Sequence, residues 1–460
     1  MTMEGVNALR AEPWRRMASH RGVWAAGAVA LGLTLLLPLF LLHIRVGAEI
    51  SFDVAAALFL VRSALEGRWL WLRRDWVVVG LLWWAWTVAC TILALQAAPS
   101  GGPGHVVQAV LVVRFLVFAA ALEHWVLRDP RARRWLLASF GIAALYVAGQ
   151  TLLQFATGRN LYGYPRWGDG ELTGPFKGPK AAPSFIRMLF PAMLPAMGRL
   201  NSSPRAWGRL AAGGVLVVGI ADIVLIGQRM PVLLAGLGLL ITGLLMPRVR
   251  GLVIVAIIAG GALIGASAVV SPPTFYRLVT KFSRQIETFP ESPYGQITAR
   301  ALAMAGQHPW TGLGFNGFQS NCADPRYQHG WRWPQDPADD GGGAAMCVTH
   351  PHSYYLQALT DAGIPGLLGF GLLVVLWLRR LSHGLWRDPD PLRVGLFVAV
   401  FIQAWPIGST SPLVSLPMGG WFFLVLGFGL AAANRQGCAA YASPVGSTML
   451  AKDKDIGLHG

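Results

Sequence analysis

Residues 251–270 read GLVIVAIIAGGALIGASAVV, twenty positions without a charged side chain, and Ser271-Pro272-Pro273 closes the run. A stretch of that length and apolarity is what an α-helix needs to cross the hydrocarbon core of a bilayer. Comparable runs recur near 22–43, 47–65, 75–96, 105–124, 134–156, 182–198, 208–226, 229–246, 249–271, 354–378, 391–411 and 416–434. With 54% hydrophobic residues, 13% charged and 19 Trp in 460 positions, the chain lies outside the composition of a soluble domain. The expected fold is all-α, a polytopic transmembrane helical bundle of about 12 spans with one large, partly helical outer loop. Nine spans fall in 1–271, the loop in 272–353, three more spans in 354–434, and a tail expected to be disordered and cytoplasmic in 435–460.

Arginines set the expected orientation. Alternate connections carry Arg68, Arg73 and Arg74, then Arg128, Arg131, Arg133 and Arg134, then Arg199, Arg205 and Arg209, then Arg248 and Arg250, then Arg379, Arg380, Arg387 and Arg393. The short connections between them carry almost none. The positive-inside rule puts the arginine-rich set and both termini in the cytoplasm. Most of the net charge of +16 then serves topology, and a nucleic-acid partner is not needed to explain it. The basic leader with Arg10, Arg15, Arg16 and Arg21 precedes a run too long for a signal-peptide core, so it reads as a retained anchor.

Two segments on the outer side break the pattern. Residues 157–181 hold Arg159, Arg166, Lys177 and Lys180 against Asp169 and Glu171, a cationic excess that fits either headgroup contact by snorkelling side chains or a bound anion. In 272–352, residues 274–288 and 294–307 have helical periodicity, the second with Ile297, Ala301, Leu302 and Met304 on one side. The glycines of Gly312-Leu313-Gly314-Phe315-Asn316-Gly317 match a dinucleotide fingerprint in spacing only; without a strand before them they read as a tight turn. Residues 321–346 read as irregular loop. Cys322 and Cys347 both fall in the large loop, where an oxidising compartment permits a disulfide; a zinc site with His329, His350 and His352 is the alternative, and short of ligands at suitable spacing. Cys90 and Cys438 read as inert thiols.

The loop ends at Thr349-His350-Pro351-His352-Ser353-Tyr354-Tyr355-Leu356-Gln357, which sets two imidazoles where a hydrophobic helix resumes. Charges inside the apolar runs are the remaining signal, because each costs roughly 2.5–3.5 kcal/mol at a helix centre on insertion scales. Asp53, Arg62, Arg114, Arg187, Asp222 and Arg229 are such charges, with Asp222 a candidate buried partner for Arg187. Arg187 and Arg229 lie toward the same outer face as Lys177, Lys180, Arg300 and His352. A planar guanidinium can make two parallel hydrogen bonds to a phosphate and stays charged, so this cationic basin with an imidazole suggests a lipid-linked phosphate substrate.

The run Arg300-Ala301-Leu302-Ala303-Met304-Ala305 to His308-Pro309-Trp310-Thr311-Gly312-Leu313-Gly314, followed by His350-Pro351-His352-Ser353-Tyr354-Tyr355-Leu356-Gln357 and Ala362-Gly363-Ile364-Pro365-Gly366, resembles the signature region of the O-antigen ligase and polymerase superfamily. Gly227-Gln228-Arg229-Met230 is similar to that superfamily's Ser-Arg element, with Gln in place of Ser. The resemblance implies a metal-independent glycosyltransferase of the bacterial inner membrane, without cofactor, that moves a glycan from undecaprenyl diphosphate. In the O-antigen ligase branch the acceptor is lipid A-core oligosaccharide at the periplasmic face. One large outer loop and a short tail favour that branch over O-antigen polymerases and protein O-oligosaccharyltransferases. A flippase or exporter of lipid-linked sugars is the reading from another class; no convincing pair of internal repeats speaks for it. On the ligase reading His352 is the candidate base, Arg187, Arg229 and Arg300 hold the diphosphate with Lys177 and Lys180 as outer contacts, and His350 is an accessory neighbour.

Overall fold

The protein was examined as a computed structural model, which describes residues 25–97, 102–168, 170–328, 347–408 and 412–434. The basic leader, Asp169, His329, most of the irregular stretch 321–346, residues 409–411, Cys438 and the tail lie outside the described residues. A helix stands at every apolar run: α1 (Ala25–His43), α2 (Arg45–Glu66), α3 (Asp75–Ala97), α4 (Gly102–Val126), α5 (Pro130–Thr157), α6 (Ala181–Asn201), α7 (Ala206–Ile226), α8 (Arg229–Leu245) and α9 (Arg250–Val270). In the large loop α10 (Pro293–Gln307) forms as the periodicity predicts, preceded by short helical pieces over Pro272–Phe275, Tyr276–Thr280 and Lys281–Glu287. Then come α11 (Tyr354–Ser382), α12 (Pro391–Gln403) and α13 (Met418–Ala433). Seven helices, those of α1, α3, α4, α5, α7, α9 and α11, are long and apolar enough to cross a membrane. Helices α8, α12 and α13 are apolar but shorter. The runs at 391–411 and 416–434 give shorter helices than their apolarity predicts, because Pro406, Pro412 and Pro417 interrupt the segment between them. The chain is thus a multi-pass helical bundle.

Helix α13 is the centre of the bundle, with Met418 to Ala432 buried throughout, packed against α4 and α12. In lipid, burying apolar surface drives helix association weakly, so the closeness of packing matters more. Gly427 supplies it: a Cβ there would lie 2.8 Å from Leu122 Cδ1 and 3.2 Å from the Ala119 Cα, so glycine lets α13 and α4 touch along their backbones.

Helix α11 is broken. Ala362 and Gly363 leave helical dihedrals, Gly363 at φ +68°, and Pro365 follows with no N–H to give. Carbonyls freed by such a break need donors, since a bilayer offers none. They find them in two places: Trp86 Nε1 donates to the Ala362 carbonyl at 2.9 Å and Trp83 Nε1 to that of Gly366 at 3.1 Å, both from α3. The large loop supplies the third, Leu313 N donating to Thr360 O at 2.7 Å, and receives one back, Ile364 N donating to Pro309 O at 2.7 Å. Gly312 (φ +61°) sits where a Cβ would meet the backbone of Thr360 to Ala362. The glycines that imitate a dinucleotide fingerprint therefore make a turn that docks the loop into the break.

Contacts along α4 distinguish the two ends of the bundle. Near its start Gln108 accepts a bond from Asn316 of the large loop at 3.1 Å, while near its close Glu123 is fully buried and takes bonds from Arg380 and Asn434, each at 2.9 Å. The large loop, the 158–180 connection and the turn before α8 gather at the first end; the arginine-rich connections gather at the second.

Candidate functional site

His352 stands one residue before the N-cap of α11, where the Ser353 side chain accepts from Leu356 N. Its φ is +53°, a left-handed conformation that residues with a Cβ rarely adopt and that recurs at functional sites. The segment is fastened just after it. Ser353 Oγ donates to Pro406 O at 3.3 Å and the Tyr355 hydroxyl to Ala404 O at 2.8 Å. Two rings pack edge-on against the His352 imidazole, His350 with centroids 4.4 Å apart and Tyr294 of α10 at 5.5 Å. His350 Nδ1 in turn lies 3.0 Å from Thr349 Oγ1. Burial holds the His352 imidazole below the ordinary histidine range, because a charged ring would lose its hydration there. It is consequently a neutral base at pH 7.

Two residues on, buried Tyr354 faces the guanidinium of Arg187. Arg187, 4% exposed, rises from the first turns of α6, donates Nη1 to Pro183 O, and has an Nε that meets no acceptor among the described residues. No bond joins it to Asp222, whose two carboxylate oxygens also meet no partner; the expected Arg187–Asp222 pair is corrected accordingly.

Arg229 belongs to a second group. Gly227 at φ +81° ends α7, and Gln228 caps α8 with extended backbone but no side-chain bond, because its amide is used elsewhere, on Glu171 and Pro179 O. Arg277, in the first helical stretch of the large loop, donates Nε to Gly227 O at 2.9 Å and Nη2 to Glu171 at 2.5 Å. This buried ion pair ties the 158–180 connection, the turn before α8 and the large loop together. Arg229 itself bonds Gln285 of the same stretch. Lys177 and Lys180 are exposed on the neighbouring connection, and neither has an acidic partner among the described residues.

Arg300 departs from the expected basin. It is 1% exposed and donates Nη1 to Cys322 Sγ at 3.4 Å, inside a small core of Ile297, Ala301, Met304, Phe318 and Tyr327. It is an internal group of the loop. Cys322 and Cys347 are bonded, with Cα atoms 5.4 Å apart, which leaves neither thiolate for a metal. The bridge spans 25 positions and sets Cys347 three residues before His350. Closing a loop of that length stabilises by roughly 3 kcal/mol in chain-entropy models. Cys322→Ser/Cys347→Ser should therefore unfold at lower temperature, and amides 348–353 should exchange faster with deuterium; unchanged exchange there would separate the bridge from the positioning of His352.

Other in-span charges are accounted for without a site. Arg114 pairs with Glu49 at 2.5 Å and Asp53 at 3.0 Å, and Arg62 pairs with Glu66 at 2.8 Å. Reading the sequence missed Tyr294, Gln285, Arg277 and the buried Asp361, which accepts Gly317 N at 3.2 Å beneath the loop turn. Their partners are distant in the chain, and no local pattern marks them.

A comparison with protein-family models matches residues 214–371 to the family described as O-antigen ligase. The matched segment contains Arg229, Arg277, Arg300, the 308–317 turn, His350, His352 and the break in α11. It supports the family resemblance read from the sequence, and with it a membrane glycosyltransferase-like function in the ligase and polymerase superfamily. Among curated proteins none matches the chain.

Proposed function

We propose that this protein is an O-antigen ligase, joining a glycan carried on undecaprenyl diphosphate to lipid A-core oligosaccharide at the periplasmic face of the bacterial inner membrane. The observation that carries the proposal is the family match over 214–371, which takes in both the neutral, left-handed His352 and the Arg229 turn. A sugar hydroxyl is a weak nucleophile near neutral pH, and His352 is a base that partial burial keeps neutral. The acceptor oxygen attacks the anomeric carbon as its proton passes to the imidazole. The bond from that carbon to the diphosphate breaks with its electron pair, undecaprenyl diphosphate departs, and the configuration inverts. Arg187 and Arg229 meet the charge that grows on the leaving group, with Lys177 and Lys180 as outer contacts. Arg300, buried in the loop core, ties α10 to the Cys322 end of the disulfide.

A carrier of lipid-linked sugars would draw on the broken α11, since transporters bind ions and substrates at such breaks. Here the carbonyls of Thr360, Ala362 and Gly366 are already taken by Leu313, Trp86 and Trp83, which leaves the break structural. The test is direct. Purified protein, undecaprenyl-diphosphate glycan and rough lipopolysaccharide should yield joined product, with or without a chelator. Lengthened glycan from donor alone would indicate a polymerase, transfer to protein an oligosaccharyltransferase, and movement of donor across vesicles without product a carrier.

A further inference from the structure

The opposite end of the bundle holds a cavity of about 590 Å³ between the 66–74 connection and the close of α4. Five arginines line it, Arg62, Arg68, Arg73, Arg74 and Arg128, against one acidic side chain, Glu66. That carboxylate is already shared, by Arg62 at 2.8 Å and Arg68 at 3.3 Å. Arg62 is held further over the Trp125 ring at 5.4 Å. Arg73, Arg74 and Arg128 have no acidic partner among the described residues. Three arginines lining one concavity, with Glu66 the one carboxylate among its lining residues, concentrate positive charge that favours an anion there. Leu70, 73% exposed, lines the cavity with Phe59 and Trp71, and the exposed Leu65 and Trp69 stand next in the chain to the lining residues Glu66 and Leu70. A cationic hollow with exposed Leu and Trp beside it fits a molecule with a phosphate at one end and acyl chains at the other.

We propose that this cavity binds the phosphate of an anionic phospholipid headgroup in the leaflet facing the arginine-rich end, the cytoplasmic one by the positive-inside rule. The site is separate from the His352 region, since its residues lie on α2, the connection to α3 and the end of α4. The lipid phosphate is held by the positive charge of Arg73, Arg74 and Arg128, while its chains run along Leu65 and Leu70.

Full-length protein in nanodiscs tests this, with phosphatidylglycerol or phosphatidylcholine as the lipid, retained lipid read by native mass spectrometry and unfolding by thermal melt. Phosphatidylglycerol should bind roughly tenfold to hundredfold more tightly than the zwitterionic lipid, as expected for three basic side chains near a headgroup. The Arg73→Gln/Arg74→Gln/Arg128→Gln variant should lose that preference, and the corresponding Lys variant should keep most of it. If the Gln variant does not fold, the wild-type comparison between the two lipids still decides. Equal retention of both lipids, or an undiminished preference in the Gln variant, overturns the proposal. Millimolar inorganic phosphate should not displace the lipid; full displacement would assign the cavity to a soluble anion and overturn the lipid assignment.

Discussion

His352→Ala should lower transfer by about 10²–10⁴-fold, the usual cost of removing a general base, with expression and donor affinity close to those of the parent. Because His352 is held at φ +53°, alanine leaves the backbone strained, so His352→Asn is the better control: Asn tolerates the left-handed region while removing the base. Both should be inactive, and His350→Ala should lose less, since its ring packs on His352 and bonds Thr349 rather than leading the chemistry. The pH profile carries the same assignment. The base works only when neutral, and burial holds its pKa below that of a solvated histidine, so the acid limb of kcat/KM should lie below that of a solvated imidazole. Activity is retained as pH drops to the folded pKa and is lost as pH falls through it. Near-normal turnover in His352→Asn, or an acid limb at or above that of a solvated histidine, would remove His352 from the role.

The helices were legible because a run of about twenty apolar residues has few alternatives in a membrane protein. What ended them was less legible: apolarity carries the run 391–411 past Pro406, whereas α12 stops at Gln403. The break in α11 shows the limit. Gly363 and Pro365 announce a disturbance, but the donors that make it tolerable, Trp83, Trp86 and Leu313, come from about 50 to 280 residues away. The Glu171–Arg277 pair, 106 positions apart, was invisible for the same reason: periodicity reports which face of a helix is apolar and says nothing of what opposes it. Arg300 could have been placed correctly. Ile297, Arg300, Ala301 and Met304 follow the i, i+3, i+4, i+7 spacing of one helix face, so the stripe that defines the apolar side of α10 includes the arginine. Its register thus points to a place inside the loop core, beside the residues with which it packs.

Arg229→Lys should lose transfer by about 10²–10³-fold, the scale seen when one donor aimed at developing transition-state charge is removed. The position argues for it. Arg229 is the first residue of α8, where the helix dipole is positive and a cation is disfavoured, and no acidic side chain stands in that turn. Gln228 gives the first turn of α8 no side-chain cap, which leaves the N–H groups of Arg229 and Met230 without a capping side chain at the positive end of the helix. Lysine keeps the charge but not the fork, and reaches Gln285 or a diphosphate with a single point donor. A residue that only marks topology or snorkels would accept Lys without loss. Arg187→Ala should weaken donor binding as well, from the buried side beside Tyr354, and its thermal stability must be compared with that of Arg229→Ala because Arg187 is the more enclosed of the two. Full activity in Arg229→Lys, together with unchanged donor affinity in both alanine variants, would place the diphosphate elsewhere and leave the Glu171–Arg277 junction as a structural clasp.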